Sequence, residues 1–321
     1  MRLRYRTLFA GLIFTVAAVS GQDTWYGSVS GMQVMYNPAW AGTAETASLN
    51  ISACSFLPGN GFGMKSVYTS YDSYIEALHG GAAIWIVDDI AGEVMNDLRG
   101  GASYAYHFRA GRNLYVTAGL NASLVSRGIR SGSVILPDDI DPFRGITGGS
   151  SVYLPQDNIN RFDLGTGISF AYGQWYGGAS VMHLTQPYLG EDPQEYNRLN
   201  RLYTLIAGAT LNPGGREFFL KPSAAFLVQG DNFTLYLGSE ASYKGLMPGI
   251  SLWHVRHGFT AAETSLGWEA GHVKIILSYS YILSGGDVSF NGTAIVKAGL
   301  LFSFNNVEKR RVAHIINLPV L

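Results

Sequence analysis

Two residue pairs containing histidine have spacings that invite a chemical interpretation. Ser180 and His183 could supply a nucleophile and its base, but a spacing of three on one strand puts their side chains on opposite faces. The same geometry separates His254 from His257, so these two residues are expected near a membrane interface and not in a metal site. A hydrolase would need a serine and a histidine on one face, and the sequence offers no such pair.

A group of aspartates could bind calcium instead. Asp138, Asp139 and Asp141 carry oxygen ligands at close spacing, but the twelve-residue pattern that ends in a bidentate glutamate is missing. We interpret this stretch as a solvated acidic loop. The sequence therefore predicts no catalytic, cofactor-binding or metal-binding residues and a protein that is not an enzyme.

The elements that carry these residues are strands, because apolar and polar residues alternate along most of the chain. Leu114, Val116 and Leu120 fall on one side of such a segment, whereas Tyr115 and Thr117 fall on the other. About fourteen such segments, aromatic at their ends, predict an all-β fold: a single transmembrane antiparallel barrel over residues 46–304. The predicted strands are 46–54, 64–75, 79–88, 98–108, 114–125, 162–172, 175–183, 202–211, 218–229, 233–243, 247–255, 263–270, 272–282 and 291–304.

The N-terminal residues 1–21 have the pattern of a secretory signal peptide. Arg2, Arg4 and Arg6 precede an apolar stretch from Leu8 to Val19, which is too short to cross a bilayer as a helix. No later segment approaches the roughly twenty apolar residues of a membrane helix. An exported chain of this kind is a closed barrel in the bacterial outer membrane or a soluble secreted protein.

The composition favours the barrel. Charged residues make up 14% of the chain, compared with about 25% in soluble domains. The 40 glycines among 321 residues are about 12% of the chain, which exceeds the usual share of about 7%. A net charge of −1 gives no electrostatic reason to expect nucleic acid as a partner. Cys54 is the only cysteine, so an intrachain disulfide is excluded.

Charged residues within the strands should point into the barrel. A lysine that faces lipid near the bilayer midplane costs about 2–4 kcal/mol, and the period-two phase predicts that these side chains are luminal. We expect them to pair with one another and not to form an ion pathway. The predicted luminal charges are Lys221, Lys274, Lys297, Asp163 and Glu240.

Two segments lie outside the predicted strands. Residues 22–45 form an irregular N-terminal segment, and residues 305–321 form a short tail that contains Lys309, Arg310 and Arg311. An even strand count puts both segments on the periplasmic side of the barrel. Each segment could plug the lumen or bind a partner, and the sequence leaves both possibilities open.

Four blocks of sequence resemble a known family. Residues 37–42, Asn-Pro-Ala-Trp-Ala-Gly, resemble the N-terminal hallmark of the PorP/SprF family of the Bacteroidetes type IX secretion system. Residues 162–167, together with 175–187 and their Leu-Thr-Gln-Pro ending, resemble the central hairpin of that family. Residues 220–223 resemble its Lys-Pro-Ser strand, and the order and spacing of the blocks also match. The tail after Phe304 departs from the family pattern, in which the barrel ends the chain.

The resemblance implies a role in protein secretion. It implies an outer-membrane component, without catalytic activity, that supports export or surface anchoring of sorting-domain proteins such as gliding adhesins. The implied partners are a periplasmic OmpA-like peptidoglycan-binding lipoprotein, secretion-ring proteins and the sorting-domain cargo. Binding would occur through surfaces, and the candidate partner-binding residues are Asn37, Pro38, Trp40, Gly42, Lys309, Arg310 and Arg311.

The main alternative is an outer-membrane channel or transporter for small or apolar solutes. Barrels of this size can leave an open lumen. The inward-facing glycines fit either reading, since a filled interior can require them and an open one can tolerate them. The residues concerned are Gly119, Gly165, Gly167 and Gly299.

Overall fold

The computed structural model describes residues 32–44, 46–56, 63–92, 95–129, 140–141, 143, 145–146, 158–190, 198–213, 217–256, 258–285 and 294–304. Within these ranges the chain is almost entirely strand. The strands are β1 (Ala47–Phe56), β2 (Met64–Ile75), β3 (Gly80–Ala91), β4 (Met95–Arg109), β5 (Leu114–Ile129), β6 (Ile140–Asp141), β7 (Gly145–Ile146), β8 (Ile159–Tyr172), β9 (Trp175–Met182), β10 (Leu202–Ala209), β11 (Phe218–Gln229), β12 (Asn232–Tyr243), β13 (Leu246–Val255), β14 (Phe259–Ala270), β15 (Val273–Gly285) and β16 (Ala294–Phe304).

Fourteen of these strands form one closed antiparallel barrel, which confirms the predicted fold class. Each predicted strand corresponds to one barrel strand, and no predicted end differs from the observed one by more than four residues. The short β6–β7 pair lies apart from the barrel, within a stretch that the sequence predicts as loop. Two-residue strands are too short to show an alternating pattern.

The first and last strands close the barrel. β1 pairs with β16 over its full length, from Ala47 opposite Phe304 to Phe56 opposite Ile295. β5 pairs with β8 across the long connection between them, with Leu114 opposite Tyr172. Closure gives every strand two neighbours, so the sheet has no unpaired edge to present to lipid.

The side chains alternate between an apolar outer face and a buried inner face. On β13, Ile250 points outward and is 70% exposed, whereas Met247 and Trp253 point inward and are 1% exposed each. A continuous apolar exterior of this kind suits a surface that lipid covers. None of the helices among the described residues is long and apolar enough to cross a membrane.

The connections alternate between two ends of the barrel. β1 begins and β16 ends at what we call the terminal end, and the opposite end is the loop end. The turns at Gly173 and Gly271 lie at the terminal end and use positive φ angles of 59° and 61°. β11 and β12 are joined at the loop end by a two-residue turn at Gly230 and Asp231, so no long loop extends beyond the strands at that point.

Candidate functional site

Residues 32–44 lie inside the barrel, and we call them the plug segment. A four-residue α-helix, α1 (Gln33–Tyr36), is followed by a 3-10 turn over Pro38–Trp40. Tyr36 and Trp40 are each 2% exposed, and the 3-10 turn packs against β4, β5 and β8. The segment that carries the family hallmark is therefore part of the barrel interior.

The sequence of the plug segment explains its local shape. Asn37 has an extended backbone, and its side-chain oxygen accepts a hydrogen bond of 2.9 Å from the Ala39 N–H, which caps the 3-10 turn. Pro38 starts that turn, where its fixed φ is favourable and its missing N–H costs nothing. Gly42 has φ +63°, a conformation that side chains with a Cβ rarely adopt.

Glycines in the barrel wall make room for the plug segment. A Cβ added at Gly119 would lie 2.3 Å from the Ala39 nitrogen, and one at Gly167 would lie 2.1 Å from the Asn37 side-chain oxygen. A Cβ at Gly81 would lie 1.9 Å from the carbonyl oxygen of Ala41. These distances are far below van der Waals contact, so only glycine permits the plug segment to approach the wall this closely.

The other two glycines singled out in the sequence differ from these. A Cβ at Gly165 would meet the Met182 sulfur at 2.4 Å, so this position is filled by a wall side chain. A Cβ at Gly299 would meet only the Ser52 hydroxyl, at an ordinary 3.6 Å. The glycines thus mark a filled interior at Gly119, Gly165 and Gly167 but leave some space at Gly299.

Hydrogen bonds attach the plug segment to β8 and β9. The Asn37 side-chain amide donates to the Ile168 carbonyl at 3.1 Å. The Ser180 hydroxyl donates to the Tyr36 carbonyl at 2.5 Å. The bond between Ser180 and Tyr36 is buried, so it satisfies polar groups that would otherwise be costly.

Further bonds attach the C-terminal half of the plug segment to β2 and β4. The Gly42 N–H donates to the Asp72 carboxylate at 3.0 Å, and the same carboxylate accepts from the Ser48 hydroxyl. The His107 ring nitrogen Nε2 lies 3.0 Å from the Ala41 carbonyl oxygen, to which it donates. The sequence analysis missed Asp72 and His107, although the inward phase of their strands would have identified both as luminal polar residues.

The structure places Asn37, Pro38, Trp40 and Gly42 against the wall of their own barrel. All four are buried, so in this arrangement their side chains are not accessible to another protein. Contact with a partner through these residues stays a prediction, and it would require the plug segment to leave its position. Lys309, Arg310 and Arg311 lie outside the described residues, as do residues 1–21.

The five charges assigned to the lumen point inward, and ion pairs join them to one another and to neighbours. Lys221 lies 3.3 Å from Glu240 on the adjacent strand, and the Lys274 ammonium lies 4.0 Å from the same carboxylate. Lys297 pairs with Glu263, which is 3% exposed and also accepts from the Ser280 hydroxyl at 2.8 Å. Glu263 was missed in the sequence, although its position in β14 has the inward phase.

The fifth charge, Asp163, contacts His183, and the prediction that His183 lies on the strand face opposite Ser180 is wrong. β9 ends at Met182, and His183 has φ +58°, so its ring turns back to the interior instead of facing outward. Its Nδ1 lies 2.6 Å from the Asp163 carboxylate, which also accepts from the Thr185 hydroxyl at 2.7 Å. The Ser180 hydroxyl donates its hydrogen bond to the Tyr36 carbonyl of the plug segment, so it is not paired with a base.

The remaining chemical candidates gain no support as sites. His254 lies on the outer face, with Nδ1 2.9 Å from the Thr260 hydroxyl. His257, Asp138 and Asp139 lie outside the described residues, and the Asp141 side chain is not described. Within the described ranges, no group of three or more His, Cys, Asp or Glu side chains could hold a metal ion.

Comparison with known proteins adds two findings. A family model described as type IX secretion system membrane protein PorP/SprF matches residues 18–295. Among solved structures, a Pseudomonas aeruginosa FadL homologue has a TM-score of 0.50 at 12% identity, over 88% of this chain and 97% of that one. The toluene transporter TodX of P. putida has a TM-score of 0.51 at 10% identity, over 87% and 95%. No curated protein matches the sequence.

The structural similarity concerns the fold. At 10–12% identity it shows that both proteins and this chain share the architecture of an outer-membrane barrel. The chain is accordingly a protein of the bacterial outer membrane, with its apolar exterior in lipid.

Proposed function

Since the chain belongs to the PorP/SprF family of type IX secretion system membrane proteins, we propose that it is a non-catalytic component that supports export or surface anchoring of sorting-domain proteins. As a member of the family, the protein is an outer-membrane component of this system. The role that we propose for it is that of a scaffold, in which the barrel presents surfaces and does not conduct solutes.

The observation that carries the proposal is the plug segment. Its backbone is bonded to the wall at Ser180, at Asp72 and at His107, on different sides of the lumen. Together with the bond from Asn37 there are four such hydrogen bonds, and each contributes about 1 kcal/mol net to the stability of the plugged state. Burial of the Trp40 side chain adds about 1.5–3 kcal/mol. A pathway for solutes would have to displace this segment, whereas a scaffold gains rigidity from it.

The terminal end of the barrel is the proposed docking surface for periplasmic partners. It carries the short turns, the start of β1 and the end of β16, from which the tail continues. We propose that an OmpA-like lipoprotein or a secretion-ring protein binds here and that Lys309, Arg310 and Arg311 contribute to the contact. The sorting-domain cargo or adhesin would be met at the loop end.

Affinity purification tests this role. The tagged protein is extracted from native outer membranes in mild detergent, and co-purifying proteins are identified by mass spectrometry. We expect an OmpA-like lipoprotein, ring proteins or a sorting-domain adhesin. A matched variant that ends at residue 306 should fold, as judged by heat-modifiable gel mobility, but recover less of the periplasmic partners. A barrel that purifies alone in both forms would contradict the proposal.

The channel alternative makes the opposite prediction in planar bilayers. With the plug segment in place, we expect no stepwise conductance from the purified protein, and we expect conductance to appear only when residues 32–44 are deleted. Stable conductance or solute flux through the unaltered protein would favour the transporter reading over the scaffold.

A further inference from the structure

A polar cavity lies at the terminal end of the lumen, between the plug segment and the wall formed by β1, β2 and β16. Gln33 and Trp40 line it from the plug segment, and Asn50, Ser70 and Asp72 line it from the wall. Its volume is about 60 Å³, enough for about four occupants of the size of a water molecule. The cavity exists only while the plug segment is seated, because that segment forms one side of it.

The wall side of the cavity is a patch of oxygen atoms. In the ladder between β1 and β2, Ser48 lies opposite Asp72 and Asn50 lies opposite Ser70, and all four residues face the lumen. Residues that oppose each other in this way have Cβ atoms about 4.5–5.5 Å apart. A carboxylate, an amide oxygen and two hydroxyls are therefore neighbours, and these are the ligand types that hard cations prefer.

Several polar atoms around the cavity have no partner. The side-chain oxygens of Asn50 and Ser70, whose residues are 8% and 2% exposed, form no hydrogen bond, and the Gln33 amide nitrogen and the Trp40 indole nitrogen donate none. Buried polar groups of this kind are nearly always satisfied in native proteins. The two nitrogens require an acceptor, which water can supply. The two oxygens require a hydrogen-bond donor or a cation.

The charge of Asp72 decides between these two. Its carboxylate is buried and accepts hydrogen bonds from the Ser48 hydroxyl and the Gly42 N–H, which are neutral donors, and it forms no ion pair among the described residues. The other two buried acidic side chains of the described lumen, Asp163 and Glu263, each contact a histidine or a lysine. A buried carboxylate without a positive partner is costly. A single positive charge would neutralise it, whereas a divalent ion would leave an excess charge.

We propose that the cavity binds a monovalent metal cation such as Na⁺. Its protein ligands are the Asp72 carboxylate, the Asn50 side-chain oxygen and the Ser70 hydroxyl. Water molecules in the same cavity complete the coordination shell and accept the hydrogen bonds of Gln33 and Trp40. The ion neutralises the carboxylate that holds the plug segment, so it stabilises the plugged barrel and is released when the segment opens. This site does not depend on the proposed role in secretion.

Hydrogen exchange of the folded protein in detergent tests the site. Exchange of residues 32–44 is measured by mass spectrometry in sodium chloride and in N-methylglucamine chloride at the same ionic strength. A ligand that binds only the plugged state at ten times its Kd should slow exchange of this segment about tenfold, and the barrel strands should not respond. Equal exchange in the two salts would overturn the proposal, since a neutral Asp72 or a cavity of water alone predicts it. A response to calcium but not to sodium would equally overturn it.

Three variants connect the sodium effect to these ligands. Asp72→Asn keeps the shape but removes the charge, so exchange should become the same in both salts. The matched control, Asp163→Asn, removes another buried carboxylate of the lumen and should keep the difference. Ser70→Ala removes one oxygen and should raise the sodium concentration of the half-maximal effect by about tenfold.

Heat-modifiable gel mobility shows which of these variants are folded, and Ser70→Ala decides if Asp72→Asn does not fold. A sodium effect that persists in folded Asp72→Asn, that is lost in Asp163→Asn, or that has an unchanged midpoint in Ser70→Ala would refute the site.

Discussion

Replacement of Gly119 by alanine should loosen the plug segment without breaking the barrel. The new Cβ would lie 2.3 Å from the Ala39 nitrogen and 2.4 Å from the Pro38 carbonyl carbon, and both are backbone atoms that cannot rotate away. Relief of the clash requires the plug segment to shift by about 1 Å. Overpacking of this kind costs about 1–3 kcal/mol. The matched control is Gly299→Ala, also on the inner face, whose Cβ would meet only Ser52, at 3.6 Å.

Hydrogen exchange measured by mass spectrometry on the folded protein in detergent reports the effect directly. The amides of residues 32–44 exchange when the plug segment opens, so a loss of about 1–3 kcal/mol should accelerate them by about 5–160-fold. Amides of the barrel strands, which are held by the sheet, should be unaffected. If residues 32–44 exchange at the same rate in Gly119→Ala as in the unaltered protein, or if Gly299→Ala accelerates them equally, the wall glycine does not hold the plug segment in place.

Three further changes test the interior and the outer face. Lys297→Leu should destabilise the barrel by about 3–5 kcal/mol because it leaves Glu263 buried without its cation, and Glu263→Gln in the same chain should restore most of the lost stability. Urea titration of gel mobility measures both effects. If the single variant is as stable as the unaltered protein, the ion pair does not contribute to stability. Leu300→Lys puts a charge on the lipid-facing side of β16, at a cost of about 2–4 kcal/mol. We expect a larger unfolded fraction after refolding into lipid. A normal yield of folded protein would mean that the assigned strand phase is wrong. Asp163→Asn weakens the contact with His183, so exchange of residues 183–190 should rise by about tenfold, and an unchanged rate would show that the turn is held by other contacts.

Family membership came from short blocks of sequence, but what those blocks do came from the structure. Asn37 and Gly42 were expected at a surface that binds a partner, and both are buried against the wall. The glycines of the central strands were ambiguous in the sequence, since a missing side chain leaves either a space or a place for another backbone. Their role became clear only when residues 37–41 were found opposite them.

The sequence alone determined the strands, their phase and therefore which side chains face lipid. Alternation is a local property: neighbouring residues of a strand point to opposite faces, and the cost of charge in lipid orients residues such as Lys274 and Lys297. What faces the inner surface is a long-range property. Asn37 bonds Ile168, which is 131 positions away, Lys297 bonds Glu263, and a single positive φ turns His183 inward. Strand pairing brings Lys297 to Glu263 and His183 to Asp163, and closure of the barrel sets the width of the lumen and the space that the plug segment must fill.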